Sequence, residues 1–143
     1  MLCGAFPKGV TPYKHAHFNH PCTIWCRTTS ENYDWLLEHG VVMCEEYTER
    51  YSKQHKTQEV LQWLKENKPD LPKTGLTVFP QAMPDQYKGP NSIEAYRKYY
   101  IFEKSRFAVW KDNSKIPQWY LDGCKQNNIT VKGLTDGIRH NSV

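Results

Sequence analysis

The chain has 143 residues, a formal charge of +4 and 13% aromatic residues, including nine tyrosines and five tryptophans. This length supports one domain with its own hydrophobic core, without disulfide or metal staples. No apolar run reaches the roughly 18 residues of a membrane span, and five scattered cysteines, an odd number, exclude a disulfide framework and read as a reducing, intracellular compartment.

Residues 1–12 (MLCGAFPKGVTP) carry Gly and Pro at turn spacing and read as an irregular lead-in. Residues 13–27, YKHAHFNHPCTIWCR, follow as a loop, because Pro12 and Pro21 break any continuous helix. Thr28 with Glu31 three residues on forms a capping box, which predicts a long helix to about Tyr51. Tyr33, Leu37, Gly40, Cys44, Tyr47 and Tyr51 fall on one stripe of it, with Leu36 and Met43 beside them. Gly40, in mid-helix, marks a close contact or a kink. Thr57 is expected to cap a second helix over 58–67, with Val60, Leu61 and Leu64 inward. Five of the nine prolines lie in 69–90, an extended, ordered wrap. Asn91 opens a third helix with Glu94 at the acid position, and Ile93, Tyr96, Tyr100, Phe107 and Trp110 set its apolar face. Pro117 starts a last short helix through Trp119, Tyr120 and Leu121. The tail from Asn127 is expected to be loose at its end. The expected fold is mainly α, a compact helical single domain: irregular over 1–27, a helical core over 28–120, a tail over 121–143, and a long irregular Pro-rich connection.

Three kinds of chemistry are open to the loop at 13–27. His17, His20, Cys22 and Cys26 are conceivable zinc ligands, but they crowd into ten residues, whereas structural sites pair two ligand couples across a longer loop. The cysteines read instead as small buried hydrophobes, and no metal or cofactor is expected. The second possibility is phosphate binding. Lys14, His17 and Arg27 form one cation cluster, and Arg50, Lys53, His55 and Lys56 (RYSKQHK) form another without an acid among them. Folding back on the long helix would merge the two into one phosphate-facing surface; a solvated helix end is the structural alternative. The third is proton transfer. Glu103 interrupts an apolar stripe, where a carboxylate is paired or raised in pKa, as a general acid or base requires. Glu46, one turn before Arg50, either forms an i,i+4 ion pair or joins the acid/base set with His20.

NHPCTIW (19–25), EYTERYSKQHK (46–56), QAMPDQYK (81–88), AYRKYYIFEK (95–104) and FAVWK (107–111) together resemble a family of small phage-encoded proteins, in order and spacing to about Trp119. That family is in turn similar to the pyrimidine-dimer DNA glycosylases of the endonuclease V type, through the Asn-His-Pro…Trp-x-Arg segment leading into a long helix. The resemblance implies a compact helical DNA-repair enzyme, a glycosylase and lyase acting on damaged duplex in the cytoplasm of an infected bacterium. It also implies duplex bending and base extrusion. Family members begin with a further strand and helix, and this chain starts at the Met-Leu-Cys that closes them. The amine nucleophile and its glutamate belong to that portion in the endonuclease V type, so no nucleophile carries over to Met1. An exposed apolar groove is then expected, covered by a homodimer or a partner protein. Two other readings stand beside the repair enzyme: a non-catalytic protein that engages a host or phage protein, and a small nucleotide-processing enzyme.

Overall fold

The structure is a computed structural model that describes residues 1–134, and among these residues there are helices and turns but no strand. The fold is mainly α, as the periodicity predicts. The chain divides into two compact units, Met1–Ala82 and Met83 onward, with the division inside the proline-rich connection.

The first unit is built around one long helix. A single 3-10 turn (Leu2–Ala5) leads to the irregular stretch 6–20 and then to α1 (Pro21–Cys26), α2 (Ser30–Tyr51) and α3 (Thr57–Glu66). Helix α1 corrects the expectation of a loop through residue 27. Pro21 does not merely block a helix; it starts one, where its missing N–H costs nothing. The cap of α2 also differs from the expected box. Thr29, not Thr28, is the N-cap, accepting from the Asn32 amide at 3.1 Å. Thr28 turns back to donate to the Ile24 carbonyl at 2.7 Å, and Glu31 accepts from the Gly75 amide at 3.0 Å. Helix α2 ends at Ser52, whose backbone is left-handed (φ 52°) and whose N–H closes on the Thr48 carbonyl.

Tyr33, Leu37 and Cys44 of α2 pack with Val60, Leu61 and Leu64 of α3, together with Leu2, Cys3, Trp25 and Cys26. Gly40 is a close contact between helices: a Cβ there would stand 3.2 Å from both Leu61 methyls. Met43 and Tyr51, by contrast, are exposed at the edges of the expected stripe. The Tyr33 hydroxyl is fully buried and donates to the Leu64 carbonyl at 2.8 Å, one of the acceptors a helix end leaves open. Asn32, also fully buried, ties the wrap to the helices. Its Nδ2 donates to the Trp25 carbonyl (3.0 Å) and the Thr77 hydroxyl (2.8 Å), and its Oδ1 accepts from the Thr77 amide (2.9 Å). Through residue 82 the wrap has no helix or turn, as its prolines predict, but a 3-10 turn (Asp85–Tyr87) interrupts the rest of the expected stretch; Trp25 Nε1 donates to the Thr77 carbonyl at 3.2 Å.

The second unit contains a 3-10 turn (Asp85–Tyr87), α4 (Ser92–Tyr99), a π turn (Tyr100–Lys104), a second 3-10 turn (Asn113–Lys115) and α5 (Gln118–Gln126). Asn91 caps α4 as expected, accepting from the Glu94 amide at 3.1 Å. The expected apolar face of this helix is not the buried one. Ile93 and Phe107 are more than half exposed, whereas Ala95 and Ile101 are buried. Beyond Tyr99 a π turn widens the helix and shifts the phase of the later side chains, and the helix ends soon after it, which accounts for Ile101 and Phe107 but not for Ile93, which precedes it. Ile101 thereby joins Ala108, Ile116, Tyr120, Cys124 and Val131 in the core. Gly123 lets α5 pass over that π turn, since a Cβ would fall 2.2 Å from Ile101 Cδ1. Helix α5 runs beyond the expected end of the helical core at 120, and Val131 shows the first part of the tail packed. The expected loose end lies outside the described residues.

Candidate functional site

The expected cation surface of the first unit is divided. Asn32 holds α1 against the first turn of α2, and Arg50 lies about 27 Å further along the axis at 1.5 Å per residue. The loop cations and the RYSKQHK cations therefore occupy the two ends of α2 and form two clusters, not one surface. Glu45, Glu46 and Glu49 precede Arg50 within the same turns and dilute the positive charge at that end.

Several candidate residues have structural partners. Arg27 is half-buried; it stacks 3.8 Å from the Phe18 ring centroid and donates to the Phe18 carbonyl at 2.6 Å, so it does not point outward as expected. Arg50 donates to Glu46 at 2.7 Å, the i,i+4 ion pair that was the structural alternative. His20 is the N-cap of α1, with Nδ1 accepting from the Cys22 amide at 3.1 Å. His55, and not Thr57, does the same work for α3, accepting from the Thr57 amide at 3.1 Å. Each Nδ1 is thus engaged by a backbone N–H rather than turned to a ligand. Lys14, His17, Lys53 and Lys56 are exposed. Cys26 is fully buried and donates to the Thr23 carbonyl, and burial pushes its thiol up to about 11. Among the described residues no three His, Cys, Asp or Glu side chains gather as a metal site needs. None of their helices is long and apolar enough to cross a membrane.

Glu103 belongs to the second unit, and Glu46 and His20 to the first. It is half-buried in the π turn and accepts from the Tyr87 hydroxyl at 2.7 Å, a bond that raises the tyrosine's pKa. Around it lies a face of rings and cations. Tyr87 stacks near Phe102 and packs on Tyr99 (centroids 6.4 and 5.4 Å). The Lys104 ammonium stands 5.0 Å from the Tyr99 ring and 5.5 Å from Phe107, and the Arg106 guanidinium 5.7 Å from Phe107. Lys132 donates to the Arg106 carbonyl, bringing a third cation to the same place. Phe102 and Phe107 are 44% and 57% exposed, so each presents part of its ring to solvent.

Apart from Glu103, no residue of this face stands out in the sequence as a candidate site residue. The signal that could have found it is charge by segment. Residues 1–82 contain nine Lys/Arg and nine Asp/Glu, whereas residues 83–143 contain ten and six, so the second unit carries the whole net charge of +4. No protein-family model, curated protein or solved structure matches the chain.

Proposed function

We propose that the protein binds DNA through the ring-and-cation face of its second unit and acts there in DNA repair, as a glycosylase on damaged duplex. The observation that carries the reading is the conjunction of exposed Phe102 and Phe107 with Lys104, Arg106 and Lys132, in the unit that holds all the net positive charge. Cations beside open rings suit a strand whose phosphates are neutralised while an unpaired or extruded base stacks. Glu103 lies amid these groups, and the Tyr87 hydroxyl fixes the direction of its carboxylate. In this reading Glu103 is the acid/base, and Glu46 and His20 keep their structural bonds.

The test is twofold. Fluorescence anisotropy with labelled single strands and ultraviolet-irradiated duplex should show salt-dependent binding that falls when Phe102 and Phe107 become alanine. Incubation with irradiated duplex should then leave abasic sites that hot alkali converts to nicks, with this nicking abolished in Glu103→Gln and binding retained. No binding of either DNA would refute the reading, and binding without nicking would remove the enzymatic part.

A second reading, a non-catalytic interaction protein, has its own observation. Trp35, Val42 and Met43 are exposed along one side of α2, where a soluble helix would place polar groups. A stoichiometric protein partner lost on Val42→Glu, together with no effect on DNA, would favour it.

A further inference from the structure

The first thirty residues contain no Asp or Glu, although their unit is neutral as a whole; Glu31 is the first acid in the chain. Within this acid-free stretch the 3-10 turn and the histidine loop line an open cleft of about 690 Å³. That is the size range of small-molecule sites. Phe6 and Pro7 line one part of it, and Phe6 is itself fixed by the Tyr33 and Trp63 rings at 6.4 and 5.3 Å. His15 and Phe18 form another wall as a parallel pair, 5.5 Å apart and inclined by 11°. Arg27 stiffens that wall from its two contacts with Phe18, and Gly4 leaves the room it needs, since a Cβ there would already touch Phe18 and Arg27 at 3.5 Å. Lys8, His17 and Asn19 supply the polar part of the lining.

Two features of the cleft are costly to the free protein. Both ring nitrogens of His15 are shielded from solvent and have no hydrogen-bond partner. His17 holds a left-handed backbone (φ 50°), a conformation that residues other than glycine rarely adopt and that tends to mark ligand clamps.

From these observations we infer that the cleft binds a planar aromatic group bearing an anion, a nucleobase with its phosphate. The flat apolar walls, the parallel His15–Phe18 pair among them, accept the ring, and Lys8 and Asn19 meet the phosphate in a lining without a carboxylate. Arg27 acts as a positioning residue behind Phe18. The site is separate from the face around Glu103 and does not depend on the DNA-repair reading.

The nucleotide has two sources, free in solution or within a strand, and amide NMR of the full chain distinguishes them. Mononucleotides at millimolar concentration should shift the amides of residues 4–8 and 15–19, and Lys8→Ala should weaken this about tenfold while leaving the rest of the spectrum unchanged. Shifts produced there only by a single-stranded oligonucleotide would assign the nucleotide to a strand. Lys104→Ala/Arg106→Ala should leave the cleft response intact, which separates this inference from the proposal for the second unit. An equal response to inorganic phosphate alone would overturn it, as would no response of these amides to either nucleotide source.

Discussion

Removing Lys104 and Arg106 together should change the salt dependence of DNA binding by an amount the structure sets. Lys104 and Arg106 stand over Phe107, and Lys132 donates to the Arg106 carbonyl beside it, three cations in all. If each neutralises one phosphate of a single strand, the slope of log K against log salt is about −0.7 per contact, or about −2.1 in all. Raising salt fourfold should then weaken binding by about 20-fold. The double alanine variant retains Lys132 alone, with a slope of about −0.7 and a loss of about 3-fold over the same range. The quantity to measure is the difference in slope, by anisotropy titrations at four or so salt concentrations, because it cancels any salt-independent stacking. Arg27→Ala and Arg50→Ala serve as controls and should leave the slope unchanged, since each guanidinium is committed to a partner within the fold. A double variant with the parental slope, or a slope that falls instead in the controls, would refute the placement of the phosphates on this face.

Four further outcomes test the packing. Asn32→Leu removes one buried and two partly buried hydrogen bonds and takes the partner from the Trp25 carbonyl and the Thr77 amide; urea unfolding should show a loss of about 2–5 kcal/mol, and a loss under about 1 kcal/mol would contradict the role given to Asn32. Gly123→Ala should destabilise by about 1–2 kcal/mol despite its better helix propensity, because its methyl meets Ile101 Cδ1. Ile101→Val, mildly destabilising alone, should become stabilising in that background; simple additivity of the two changes in thermal unfolding would argue against the contact. Of the five thiols, the half-buried Cys22 should react first with Ellman's reagent, the other four being buried. Burial raises the Cys26 thiol to about 11 in the fold, so its contribution to stability is complete below the unfolded value of about 8.5 and is lost as pH rises through the folded one. Cys26→Ala should flatten this part of the alkaline decline, and an unchanged urea midpoint profile would count against it.

The helices and their inward residues were largely legible. Helix α2 with Tyr33, Leu37 and Cys44 inward, α3 with Val60, Leu61 and Leu64, the Asn91 cap and the ordered proline wrap all follow from local rules: spacing, capping groups and fixed φ. Each depends on residues within a few positions of one another, so the sequence contains what decides it. The sequence likewise determined where charge resides, once counted by unit rather than by cluster.

Tertiary structure decided what those rules leave open. Whether Gly40 is a kink or a contact depended on Leu61, a residue on another helix. The phase of the Tyr96–Trp110 stripe was lost to a π turn that α5 packs against through Gly123, a long-range fit with no local signal. Asn32, which reads as an ordinary polar residue early in a helix, became a buried junction because Thr77 arrives beside it. The site suffered most for the same reason: Arg27, Arg50 and His55 look like free cations and His20 like an acid/base in one dimension, and only their partners in space make them a ring clamp, an ion pair and two helix caps.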